Sequence, residues 1–151
     1  MKKILIINGP NLNFLGIREK NIYGNDNYET MCKYIIEHFS EKNIKIEIFQ
    51  TNHEGRIIDR LQEAYHEGIE GIVINPGAYT HYSYAIFDAI KSVSIPTVEV
   101  HISNIHEREE FRKISVTAPA CVKQIYGKGK EGYIEAVDYL IGWESYGSQR
   151  Q

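Results

Sequence analysis

Three short apolar runs in this chain end in residues that can move protons or hold an oxyanion. Ile4-Leu5-Ile6-Ile7 opens into a polar stretch with Asn11, Arg18 and Tyr23; Ile72-Val73-Ile74 ends in Asn75, Gly77 and His81; Thr97-Val98-Glu99-Val100-His101 leads to Ile102, Ser103 and, further on, Arg112. The set holds two arginines, two histidines, a tyrosine and several amides. Proton transfer suits such an inventory. Glu99 and His101 lie two apart, so if one strand runs through both they share a face and the carboxylate can orient an imidazole acid or base. A hydrogen-bonded structural histidine is the plainer alternative, and the position at the carboxyl end of a buried strand favours the chemical role. Tyr23 is a harder case. Working as a base at neutral pH needs its pKa lowered by roughly three units from about 10, or about 4 kcal/mol. One nearby cation supplies about one to three units, so Arg18 needs help from a second such as Arg112, or the phenol ionises only transiently.

Other chemistries fit less well. His101, His106 and Glu107 lack the converging geometry of a metal cage, so no metal is expected. Gly127-Lys128-Gly129-Lys130-Glu131-Gly132 lacks the Gly-Lys-Ser/Thr ending of a phosphate cradle and reads as a turn, and no Ser or Cys sits in a nucleophile elbow.

The elements that must position these residues are legible from periodicity. Lys2 to Asn8 has the β-branched density of a strand buried on both faces, cut off by Gly9-Pro10. Asn11 to Gly24 is too polar and glycine-punctuated for a helix, and a long loop after a buried strand reads as a functional lid. Asp26 and Glu29 have capping-box spacing before a helix on Met31, Ile35 and Phe39. Ile44, Ile46 and Ile48 alternate with Lys45 and Glu47, which marks a half-exposed strand near a sheet edge. A second helix on Ile57, Leu61 and Ala64 closes at Gly68. The buried strand Gly71–Ile74 follows, then a third helix on Ile86, Ala89, Ile90 and Val93 stopped by Pro96. After the strand ending at His101 come a charged stretch, a fifth apolar run from Cys121 to Tyr126, and a last helix on Ile134, Val137, Leu140 and Ile141. The expected organisation is a single catalytic domain over 1–143 with a frayed tail at 144–151.

Alternating strands and helices predict an α/β fold, a doubly wound parallel sheet with helices on both faces. All strands of such a sheet end at one edge, where ligands bind near the point of strand-order reversal. The exits of the first, third and fourth strands therefore share one crevice.

The bulk numbers set bounds. At 151 residues one domain suffices, and 42% hydrophobic with 25% charged residues is ordinary for a globular chain. A net charge of −3 gives no general reason to bind nucleic acid or an anionic membrane. Cys32 and Cys121 read as buried free thiols, which fits a cytoplasmic location. The apolar run after Lys2-Lys3 is too short for a secretory core or a membrane span, so export is not expected.

The quoted exits, with Gly9-Pro10-Asn11-Leu12-Asn13, Gly16-Ile17-Arg18, Tyr23-Gly24, Asn52-His53-Glu54-Gly55, Asn75-Pro76-Gly77-Ala78-Tyr79-Thr80-His81, Val98 to His106 and Glu109-Glu110-Phe111-Arg112, closely resemble the type II 3-dehydroquinate dehydratases from about Lys2 to Trp143. The resemblance implies a flavodoxin-like fold, a dodecamer built from trimers, no metal or organic cofactor, and dehydration of 3-dehydroquinate to 3-dehydroshikimate by anti elimination through an enolate in the shikimate pathway. It implies Tyr23 as base with Arg18 lowering its pKa, His101 as acid held by Glu99, and Asn11 in the shell that steadies the enolate. It further implies that Asn75, His81 and Arg112 bind substrate hydroxyls, with Gly77 also among the substrate-binding residues. On the same resemblance, the amides of Ile102 and Ser103 would receive the carboxylate, and Asp88 would reach a neighbouring subunit's site. Lys20-Asn21, Phe87 and Lys123 depart from the family's usual residues, none of them at the proton-transfer pair. The rival expectation is a flavodoxin-like binding module without catalysis; strand one lacks a Ser/Thr-rich phosphate loop, which argues against it.

Overall fold

The computed structural model describes residues 2–17 and 26–147, with side chains to residue 143. Five strands, β1 (Lys2–Asn8), β2 (Ile44–Gln50), β3 (Gly71–Asn75), β4 (Thr97–His101) and β5 (Lys123–Tyr126), form one sheet in the order β2-β1-β3-β4-β5. Every pairing is parallel. The helices are α1 (Tyr28–His38), α2 (Glu54–Glu67), α3 (Tyr84–Val93) and α4 (Glu131–Gly147). The doubly wound expectation holds, and β2 is the edge strand its alternating charges predicted.

The sheet separates two apolar layers. On one face Ile4, Ile6, Val73, Val98 and Val100 meet α1 and α4 through Met31, Ile35, Tyr133, Val137 and Leu140. On the other, Leu5, Ile7, Ile72 and Ile74 meet α2 and α3 through Ile57, Leu61, Ile86 and Ile90. Alternate residues of β1 and β3 serve opposite layers, which is why both strands read as unbroken apolar runs. Each such buried side chain contributes about 1.5–3 kcal/mol, so displacing a central strand is costly.

Several local expectations change. The capping box of α1 belongs to Asn27 and Thr30, one residue later than Asp26 and Glu29: Thr30 N–H donates to Asn27 Oδ1 at 2.8 Å and Asn27 N–H to Thr30 Oγ1 at 3.0 Å. Asp26 instead pairs with Lys130 at 3.3 Å. Helix α3 stops two residues before Pro96, at Ser94 in the left-handed region (φ 56°). Helix α4 continues through 144–147, where a frayed tail was expected; residues 148–151 lie outside the described set. Gly68 does close α2 as expected, with φ 73°.

The β4-to-β5 connection carries no α-helix. Three short 3-10 turns, Ile105–Glu107, Glu110–Arg112 and Ala118–Ala120, span it instead. This puts the charged residues 107–112 over the carboxyl end of the sheet, where a regular helix would have carried them onto its face.

Candidate active site

A cleft of about 370 Å³ opens at the carboxyl ends of β1, β3 and β4, the crevice expected from topology. Asn11, Asn75, Gly77, His81, His101, Ile102, Ser103 and Arg112 all line it. Two glycines let the β1 and β3 exits lie against each other. A Cβ on Gly9 would stand 2.5 Å from the Pro76 carbonyl oxygen, and one on Gly77 (φ 61°) 3.0 Å from that of Pro10. Gly77 therefore shapes the floor by close approach, and its N–H is used internally, donated to Asn75 Oδ1 at 3.1 Å.

The floor is built from buried amides. Asn75, 4% exposed, donates from Nδ2 to the Tyr133 hydroxyl at 3.0 Å, and that hydroxyl donates to Asn8 Oδ1 at 2.6 Å. Asn75 is thus fixed on both ends of its amide, with one N–H and one lone pair left over for a ligand. Asn11 enters the cleft lining from the β1 exit. The structure puts it at the exposed rim, in the left-handed region (φ 70°) that asparagine tolerates, with its N–H donated to Asn52 Oδ1 at 3.1 Å.

One strand does run through Glu99 and His101, and the pair forms. His101 Nε2 lies 2.8 Å from Glu99 Oε2; the carboxylate can only accept, so Nε2 carries the proton and Nδ1 is left for the cleft side. Glu99 is fully buried and also accepts from Ser115 Oγ at 2.8 Å, Gln124 Nε2 at 2.9 Å and Thr117 Oγ1. Burial pushes its carboxyl up, but the hydrogen bonds and charge of His101, with Thr117 and Gln124, outweigh this and hold it below the usual carboxylate range. At neutral pH Glu99 is an anion that keeps the imidazole oriented.

His81 donates Nδ1–H to the Ile114 carbonyl at 2.7 Å, which leaves Nε2 as the cleft-facing acceptor when the ring is neutral. Beyond His101, the chain turns so that the Ile102 and Ser103 carbonyls accept from the Gly129 and Gly127 amides. The N–H groups of Ile102 and Ser103 have no partner among the described residues, and both residues line the cleft, a pair of donors suited to an anion. Arg112 stands 2.7 Å from Glu109 Oε2, but its Nε–H is not aimed at that oxygen and is buried without a hydrogen-bond partner among the described residues. Its guanidinium is available for a polar ligand.

Arg108 also lines the cleft, with Nη1 3.5 Å from Ser103 Oγ. It was not singled out from the sequence, where it is one basic residue in a charged run. The hydroxyls of Thr80, Ser115 and Thr117 around Glu99 were missed too, since nothing in their local sequence distinguishes them from any other Ser or Thr. Asp88 is exposed on α3 and does not line the cleft of its own chain. Arg18 and Tyr23, like the departures at Lys20 and Asn21, lie outside the described residues. Lys123 is exposed on β5 with Nζ 5.0 Å from the Tyr139 ring centre, and Phe87 packs under Lys91; neither lines the cleft.

Residues 2–141 match the family model described as Dehydroquinase class II. A 3-dehydroquinate dehydratase of Fusobacterium nucleatum is 62% identical over 141 residues, 92% of this chain and 96% of that one. One of Caldicellulosiruptor saccharolyticus is 65% identical over 137 residues, covering 91% and 94%. Among solved structures, the type II dehydroquinase of Butyrivibrio crossotus superposes with a TM-score of 0.90 at 67% identity, over 92% of this chain and 97% of that one. That of Propionibacterium acnes gives 0.88 at 41% identity, over 93% and 96%. Sequence, sheet order and cleft agree, and the chain belongs to the class II dehydroquinase family.

Proposed function

We propose that this chain dehydrates 3-dehydroquinate to 3-dehydroshikimate by anti elimination through an enolate, with Tyr23 as base and His101 as acid. The observation that carries the reading is the buried Glu99–His101 pair at the cleft, 2.8 Å apart, beside an arginine and two amides that have no partner among the described residues. In this reading the substrate carboxylate takes the Ile102 and Ser103 N–H groups, and its ring hydroxyls meet Asn75, His81 and Arg112. Tyr23, acidified by Arg18, removes the proton next to the ketone. The electron pair moves onto the ketone oxygen, and Asn11 steadies the resulting enolate through a water. The enolate then collapses, breaking the bond to the hydroxyl on the opposite face; His101 enters this step as the imidazolium, with Nε2–H kept on the Glu99 carboxylate, and gives its Nδ1 proton to the departing hydroxyl so that water leaves and the neutral ring remains. Two groups are needed because the two protons move on opposite faces of the ring. No metal or organic cofactor takes part. Residues 1–143 act as one catalytic domain.

A flavodoxin-like binding module without catalysis explains neither the four-donor cradle around Glu99 nor the family match. Incubation with 3-dehydroquinate, followed by the absorbance of the conjugated enone, tests the reaction. Turnover is expected, and its absence from well-folded oligomeric protein overturns the proposal. In His101→Ala, dehydration is expected to be lost while solvent exchange of the proton next to the ketone persists; retention of dehydration removes His101 as the acid.

A further inference from the structure

The Glu99 carboxylate is held unevenly. Oε2 accepts from three donors, His101, Ser115 and Gln124, whereas Oε1 accepts from Thr117 alone among the described residues. Thr117 is fully buried, so no solvent stands ready to replace its hydroxyl. Behind it lies Thr80, also fully buried, with Oγ1 2.7 Å from both Thr117 Oγ1 and Ser115 Oγ. Thr117 and Ser115 each spend their single proton on Glu99, so toward Thr80 both can only accept, and Thr80 donates to one of them at a time. The three hydroxyls form a closed cluster with every proton directed, at the end of the chain, toward the carboxylate.

The cluster also joins elements that belong to different parts of the cleft. Thr80 precedes His81 on the turn after β3, and Ser115 and Thr117 follow Arg112 on the β4-to-β5 connection. The two segments are clamped together by Val116 N–H to the Thr80 carbonyl at 2.7 Å and His81 Nδ1–H to the Ile114 carbonyl at 2.7 Å. Ser115 Oγ additionally accepts from Ala118 N–H at 3.0 Å. Hydroxyls that served packing alone would not need to converge on one buried anion. We infer that Thr117, backed by Thr80 and Ser115, is a positioning residue for the elimination step: it fixes the rotation of the Glu99 carboxylate and through it the aim of the His101 ring relative to His81 and Arg112.

This inference rests on the acid role proposed for His101. Loss of the Thr117 hydroxyl frees the carboxylate to turn and misdirects His101, while the groups that bind substrate stay in place. Thr117→Val keeps the volume and removes the hydrogen bond. It is expected to lower kcat by about tenfold to a hundredfold, the range typical of lost outer supports and of small misplacements of a reacting group. KM is expected to change by less than about threefold, because uniform binding is untouched. Exchange of the proton next to the ketone with solvent, which does not need the acid, is expected to persist, and Thr117→Ser, which restores the hydroxyl, to recover most of the loss. Should Thr117→Val fail to fold, Ser115→Ala removes a half-buried donor to the same carboxylate, with the same split expected in milder form. Unchanged kcat in Thr117→Val, or in Ser115→Ala where the valine variant does not fold, overturns the inference, as does a parallel fall of exchange and dehydration, or a Thr117→Ser variant no better than valine. Dehydration surviving in His101→Ala overturns the acid role itself, and the inference with it, on a variant that leaves Thr117 intact.

Discussion

Glu99 carries a charge that the fold has to support at a site with no access to water, and that support depends on pH. Its carboxyl is held below the usual value of 4.5, so the folded state binds its proton more weakly than the unfolded chain does. The stability this contributes is complete above pH 4.5 and is lost as pH falls through the lower folded value. Denaturation midpoints measured from pH 6 down to pH 3 are expected to drop more steeply for the natural chain than for Glu99→Gln, in which the titrating group is gone; parallel curves would show that Glu99 is not a source of acid lability. At the other end of the reaction, Tyr23→Phe is expected to bind substrate with little change and to lose most turnover, since a phenyl ring fills the same space but has no proton to exchange. Near-normal kcat would remove Tyr23 from the base role. At this scale the acid was legible and its support was not. Glu99 and His101 announce themselves by alternation in one strand, whereas Ser115, Thr117 and Gln124 reach Glu99 from 16, 18 and 25 residues away.

Elements were read best where burial imposed a period. The apolar runs of β1, β3 and β4 gave both the strands and the crevice, because strands covered on both faces admit little else. Reading faltered where a boundary is set by one hydrogen bond. The cap of α1 falls to Asn27 instead of Asp26, and α3 ends on left-handed Ser94 before Pro96 can act. The rim position of Asn11 also escaped, since it depends on Asn52, 41 residues away. Long-range polar links of this kind tie the elements together at the cleft floor, where the Tyr133 hydroxyl of α4 joins Asn8 of β1 to Asn75 of β3. Tyr133→Phe leaves an amide oxygen and an amide N–H without that partner inside the core. Chemical unfolding is expected to show a loss of about 1–3 kcal/mol, the usual penalty for a buried polar group deprived of its bond. A rise in KM should accompany it, because Asn75 is no longer fixed; an unchanged KM would mean that Asn75 is positioned by the Gly77 turn alone.

Considered as a whole molecule, the chain exposes apolar side chains beside its cleft. Tyr82, Tyr84, Phe111 and Ile114 are 60–69% exposed, on segments joined by the hydrogen bonds of Thr80 and His81. Surface of this kind next to a polar site is characteristic of contact with another protein, and a second copy of the chain is the partner the family resemblance implies. Light scattering is expected to give twelve times the mass of the 17.4 kDa chain. Asp88 provides the functional check, because it is exposed on α3 and does not line its own cleft. A rise in KM for Asp88→Asn with the assembly intact is the effect expected if Asp88 serves a neighbouring subunit's site. Mixing makes the test decisive. Asp88→Asn chains keep a sound His101, and His101→Ala chains keep a sound Asp88, so a site assembled from one of each has both groups. When the two inactive or weakened proteins are denatured together and refolded, activity at low substrate is expected to exceed the sum of the two alone. A mixture no better than that sum, or an active monomer, would confine the site to one chain and leave Asp88 without a part in it.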